Sequence, residues 1–137
     1  FAAPKTKNGA ILTGCKNISE VKILDDSHLM ALDWGLKLYV PNIPEDVEYI
    51  GIRMHDIQAG EGENHFRCFV EEVIENTFSY TLLLRGVEGG AKTFGWEVDK
   101  KLWNYYRPKT GNIYTPASEK PIVDIRIPLD VILLLKG

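Results

Sequence analysis

Several stretches of this chain carry side chains of the types that do chemistry. Gly86-Val87-Glu88-Gly89-Gly90-Ala91-Lys92-Thr93 approaches the phosphate-binding pattern G-x-x-x-x-G-K-[ST], in which backbone N–H groups cradle phosphate oxygens. Ala91 stands where the second glycine belongs, and its Cβ would crowd that cradle. The residues that follow, Phe94-Gly95-Trp96-Glu97-Val98, do not open the helix whose N-terminus such a loop requires. A hairpin turn is the simpler reading. His55, Asp56, Glu61, Glu63, His65 and Cys68 bring zinc-binding types and paired carboxylates into a short stretch, yet at no standard metal spacing, and a glycine-containing loop separates the histidines. A solvated acidic loop accounts for them. Trp103, Tyr105 and Tyr106 alongside Lys100, Lys101 and Arg107 have the composition of a stacking surface for single-stranded nucleic acid, but at helical spacing aromatics more often face a core. No G-x-S-x-G elbow occurs, and Cys15 and Cys68 are too far apart for a zinc or redox pair, so both read as buried free thiols.

The elements that must position these residues are short. A helix is expected within 1–14, with Pro4 early and Gly14 closing it. Strands are expected at 18–24 and 29–32, on either side of the turn Asp25-Asp26-Ser27-His28. Leu36, Leu38 and Val40 alternate as a strand with one buried face, and Tyr49–Arg53 forms another. Ala59–Asn64 has turn composition and reads as an exposed, mobile loop. Phe66–Glu75 suits either helix or strand. Asn76-Thr77 and the β-branched and aromatic run 78–84 after it favour strand. A strand at 93–98 precedes a helix capped by Asp99 and stopped by Pro108. Residues 109–120 form a polar loop, with strands at 122–127 and 131–135. Many short strands with small helical pieces predict an all-β barrel or sandwich.

Length and composition bound the function. A chain of 137 residues, 45% apolar and 26% charged, favours one soluble domain with a sizeable core, or two very small ones sharing a core. Sixteen Lys+Arg against nineteen Asp+Glu leave a net charge of −3, which argues against a protein that coats nucleic acid. No apolar run approaches the roughly 18 residues of a membrane span, and no secretion signal is evident, so a cytoplasmic location is expected.

Separated phrases then carry a resemblance. Phe1-Ala2-Ala3-Pro4-Lys5-Thr6, followed by Ala10-Ile11-Leu12-Thr13-Gly14-Cys15-Lys16-Asn17, resembles the segment where the nucleotide-binding domain of an ABC importer ATPase gives way to its C-terminal regulatory domain. Together with Ala31-Leu32-Asp33-Trp34-Gly35, it looks most like the ATPases of molybdate-type importers. Tyr49-Ile50-Gly51-Ile52-Arg53-Met54-His55-Asp56-Ile57 is similar to the V-G-I-R-P-E-x-[IL] strand of those domains, with Met54 in place of the usual proline. Residues 121–135 are similar to their final strands. The S-A-R-N phrase of small molybdate-binding modules is missing, and 64–111 matches only in pattern.

The resemblance implies a mainly β, OB-like barrel of the TOBE type with short helical segments at 18–137, preceded by the tail of an ATPase domain at 1–17. It implies a regulatory and dimerisation role and no catalysis by this segment. ATP and Mg would belong to an upstream domain, in keeping with a chain that starts at Phe1 and was cut from a longer one. The implied partners are a second copy, the transporter's membrane subunits at the inner face of the membrane, and a molybdate or tungstate oxyanion, with no nucleic acid. Oxyanions want N–H, Lys and Arg donors. The candidate donors are Lys16, Asn17, Arg53, His55 and Arg85. A free-standing OB-like module for oligonucleotides or small ligands, and a small hydrolase using the His55 to His65 stretch, are the competing expectations.

Overall fold

Alternating burial shapes most of the chain. In Leu36-Lys37-Leu38-Tyr39 the leucines are buried and the residues between them exposed, and Leu82, Leu84 and Gly86 are buried at every second position. That period places one face of each strand on a core. A computed structural model describes residues 4–106 and 121–137. The polar loop expected at 109–120, with Arg107 and Pro108 before it and Phe1 at the start, lies outside the described residues.

The elements run α1 (Lys7–Leu12), β1 (Asn17–Asp25), β2 (His28–Ala31), β3 (Leu36–Tyr39), β4 (Tyr49–Ile52), β5 (Gln58–Ala59), β6 (His65–Glu75), β7 (Ser79–Gly86), β8 (Phe94–Asp99), α2 (Lys100–Tyr106), β9 (Ile122–Arg126) and β10 (Leu133–Leu135). Short 3-10 turns lie at Met54–Asp56 and Leu129–Val131. The strands form two antiparallel sheets, ordered β10-β4-β1-β2-β3 and β5-β9-β6-β7-β8. The fold is mainly β. Both sheets feed one core, with Leu29, Leu38, Ile50 and Ile52 from the first and Leu82, Leu84, Trp96 and Ile125 from the second. A smaller cluster of Ala10, Cys15, Leu133 and Leu135 seats α1 on β10.

The second sheet curls. Its register with β7 slips between Val70 and Glu72, a bulge that bends β6. Its edge strands β5 and β8 are brought close enough for the Trp96 indole N–H to donate to the carbonyl of Ile57, beside β5, at 2.9 Å.

Two asparagine amides bridge between the sheets. Asn17 in β1 donates to the Gly95 carbonyl at 2.6 Å and accepts from the Gly95 N–H at 2.8 Å, as a neighbouring strand would. Asn64, ahead of β6, does the same for Tyr39 on the edge strand β3, accepting from its N–H at 2.8 Å and donating to its carbonyl at 3.0 Å. The same amide reaches the Ile127 carbonyl at 3.3 Å.

Three sequence expectations need correction. The stretch 59–64 is anchored rather than mobile, because Ala59 pairs with Ile125 and Asn64 clamps Tyr39. Helix α1 is capped by Thr6, whose hydroxyl accepts from the Gly9 N–H at 3.0 Å, and starts later than Pro4 would set it. The run 131–135 is not one strand: Val131 closes a 3-10 turn, and pairing with β4 begins at Leu133. Asp99 caps α2 as its position predicts, accepting from the Lys101 N–H at 2.7 Å, and 66–75 is strand.

Candidate functional site

Thr13–Asn17 links α1 to β1, and each residue there has a distinct job. Thr13 accepts from the Arg53 guanidinium at 3.3 Å, Gly14 takes φ +92°, Cys15 is buried, and Asn17 holds Gly95. Burial pushes the Cys15 thiol up, opposed by the nearby Arg53 charge. Lys16, between two buried neighbours, is exposed. It lines an open cleft of about 640 Å³ together with Lys7, Lys92, Glu20, Asp33 and Tyr49.

Charge in this cleft is partly spent. Lys92 lies 3.9 Å from Asp33, and the Lys7 ammonium sits 4.7 Å above the centre of the Tyr49 ring. The three lysines still outnumber the two carboxylates, and their ammonium groups are the kind of donor an anion requires. Nothing in the sequence joins Lys7 and Lys92 to Lys16: Lys92 stood out only within the 86–93 turn, and Lys7 lies on the helix before the link. Only the docking of α1 and of the 86–92 turn places them there.

The other candidate donors lie elsewhere. Asn17 is 5% exposed, and its amide is committed to both backbone groups of Gly95. Arg53 is tied to Thr13, next in the chain to Gly14 and Cys15 of the cleft lining, and does not line the cleft itself. His55 lines a different cleft and lies 3.4 Å from Asp56. Arg85 donates to Glu71 at 3.2 Å and to the Gly90 carbonyl.

Gly86–Lys92 is a docking turn. Gly35, at φ +67°, lies so close to it that a Cβ would collide with the Gly89 carbonyl oxygen, and a Cβ on Gly90 would come within 2.5 Å of the Trp34 oxygen. The Lys92 N–H donates to Asp33 at 2.8 Å, so part of the backbone a phosphate would need is used for contact with the β2–β3 turn.

The histidines are also dispersed. His65 pairs with Asp124 at 2.8 Å on the second sheet, away from His55, and among the described residues no group of three His, Cys, Asp or Glu could hold a metal ion. Asp25, Ser27 and His28 meet on one turn, but Asp25 and Ser27 both reach Nδ1 of His28, at 2.9 Å and 3.2 Å. A relay needs one partner on each ring nitrogen. Trp103 is 3% exposed in the core and offers no face for a base. Arg107 lies outside the described residues.

A scan against protein-family models finds none that matches the chain, and a search of curated proteins finds no match either. No helix among the described residues is long and apolar enough to cross a membrane.

Proposed function

We propose that this chain is the C-terminal regulatory and dimerisation domain of the ATP-binding subunit of a molybdate- or tungstate-type ABC importer, an OB-like barrel of the TOBE type that senses the transported oxyanion. The observation that carries the reading is what the resembling phrases do in the fold. Thr13–Asn17 joins α1 to the sheets and presents Lys16 to a lysine-lined cleft, Asp33-Trp34-Gly35 receives the 86–92 turn, and Gly51 packs between Cys15 and Leu135. That these phrases make packing and hydrogen-bond contacts between elements of the fold is what supports the reading. The inward curl of the second sheet is in keeping with a barrel.

On this reading the domain binds and makes no bonds, while ATP and Mg act in an upstream domain that contacts the membrane subunits at the cytoplasmic face. Oxyanion in the Lys7, Lys16 and Lys92 cleft biases the ATPase pair through its differential affinity for two arrangements of the domains. Arg53 holds Thr13, the residue before Gly14 and Cys15 of the cleft lining.

Thermal unfolding at fixed ionic strength tests this. Molybdate or tungstate raises the midpoint in a concentration-dependent way, sulfate raises it less, and Lys16→Ala removes the shift. No shift with any of these anions up to about 10 mM, roughly the weak limit of specific binding, removes the sensing role. Sedimentation of the purified chain tests dimerisation separately.

A further inference from the structure

Hydrogen-bond register fixes which backbone groups of the second sheet face outward. The Lys100 N–H donates to Phe78, which places 98, 96 and 94 in step as the β8 residues bonded to β7. Gly95, Glu97 and Asp99 therefore turn their N–H and C=O groups away from the sheet, and Asn17 covers those of Gly95. On the opposite edge, the Gly60 N–H donates to Asp124, so Ala59 of β5 also faces outward. Glu97 and Ala59 line the same open cleft of about 940 Å³. The rim carries Phe78, 84% exposed at the β6–β7 hairpin, and Leu102, 44% exposed on α2.

We infer that this cleft takes an extended peptide segment of another protein, added as a short strand to the outer edge of β8, with apolar side chains alternating with lysine or arginine. The edge supplies the main-chain partner, the recognition mode of strand addition, in which alternate side chains supply selectivity. The Asn17 amide at Gly95 and the start of α2 at Lys100 bound the pairing to a few residues centred on Glu97. Phe78 and Leu102 offer the apolar contact. Charge sets the rest: Glu97 and Asp99 line the cleft, and among the described residues no lysine or arginine does, since Lys100 is held by Glu75 at 2.8 Å. A basic side chain next to Glu97 is favoured and an acidic one repelled.

The probes are acetylated, amidated octapeptides alternating lysine with valine, isoleucine or phenylalanine, titrated by calorimetry against the 137-residue chain. At least one binds, with N–H exchange slowed at Glu97. Methylating alternate backbone nitrogens of that peptide, replacing its lysines by glutamate, or the variant Glu97→Lys each weakens binding at least about tenfold, a change well resolved by calorimetry. Phe78→Ser, at an exposed position that leaves the core intact, weakens it as well. Equal binding of the N-methylated peptide overturns the proposal, as does the absence of binding by all three peptides up to about 1 mM. A concentration-dependent dimer that Phe78→Ser dissociates also overturns it, because the edge then belongs to a second copy.

Discussion

The two asparagine clamps make the same bonds in different surroundings. Asn17 reaches from the first sheet to the edge strand β8 of the second and is buried, whereas Asn64 reaches from the second sheet to the edge strand β3 of the first and lies partly open. A backbone N–H and C=O freed at Tyr39 can take water, but the same groups freed at Gly95 are shut away among Asn17, Met54 and the core. Equal hydrogen bonds therefore do not have equal worth; what water can replace decides it.

The largest effect is expected from Asn17→Leu, which strands two buried backbone groups at about 1–3 kcal/mol each. Urea unfolding reads this as a midpoint drop several times that of Asn64→Ala, and similar drops for the two would erase the distinction. Gly35→Ala comes next, at about 2–4 kcal/mol, because it combines a left-handed backbone with a collision against the 86–92 turn. It tests whether that turn joins the sheets as firmly as the clamps do.

At the outer clamp, Asn64→Ala loses the bonds and strains a φ of +48°, while Asn64→Gly loses only the bonds. The alanine variant should be the less stable of the two by roughly 1 kcal/mol. Thiol labelling sharpens the contrast further. Burial pushes the Cys68 thiol up to about 12 and raises that of Cys15, so neither labels readily at pH 8 in the folded chain. Asn17→Ala should speed labelling of Cys15, two residues away, and Asn64→Ala should not.

The smallest effect belongs to an exposed surface pair. The Lys136 ammonium, 2.6 Å from Asp46, holds that carboxyl below its usual range and is itself raised in return. The Asp46 contribution is present above about pH 4 and fades as pH falls through its lowered value. The Lys136 contribution is present below about pH 10 and fades as pH rises through its raised value. Asp46→Asn should flatten both limbs of a stability–pH curve slightly, and a change at one limb only would mean that another group dominates.

Much of the fold was legible in local pattern. Leu36, Leu38 and Val40 announced β3 by alternation, and Asp99 announced α2 by its capping chemistry. The clamps were not, because Asn17 and Gly95 lie 78 residues apart and nothing local to either names the other. Asn64 looked like loop composition for the same reason. In the candidate site Lys16 was visible as a donor, but Lys7 and Lys92 became its neighbours only through tertiary docking, and the amide of Asn17, read as a ligand, is consumed by structure.

The first and last described segments lie side by side: Thr6 bridges Lys136 in parallel, Lys7 donates to the Lys136 carbonyl at 2.8 Å, and the Lys136 N–H donates to Lys5 at 2.9 Å. Tension applied across these segments from opposite ends acts along them, so the bonds between them bear the load together in shear. They do not unzip one after another. Yielding there would uncover Ala10 and Leu135 while the sheets stayed intact. Whatever pulls on residue 5 is thus coupled mechanically to residue 136 without stretching the core between them.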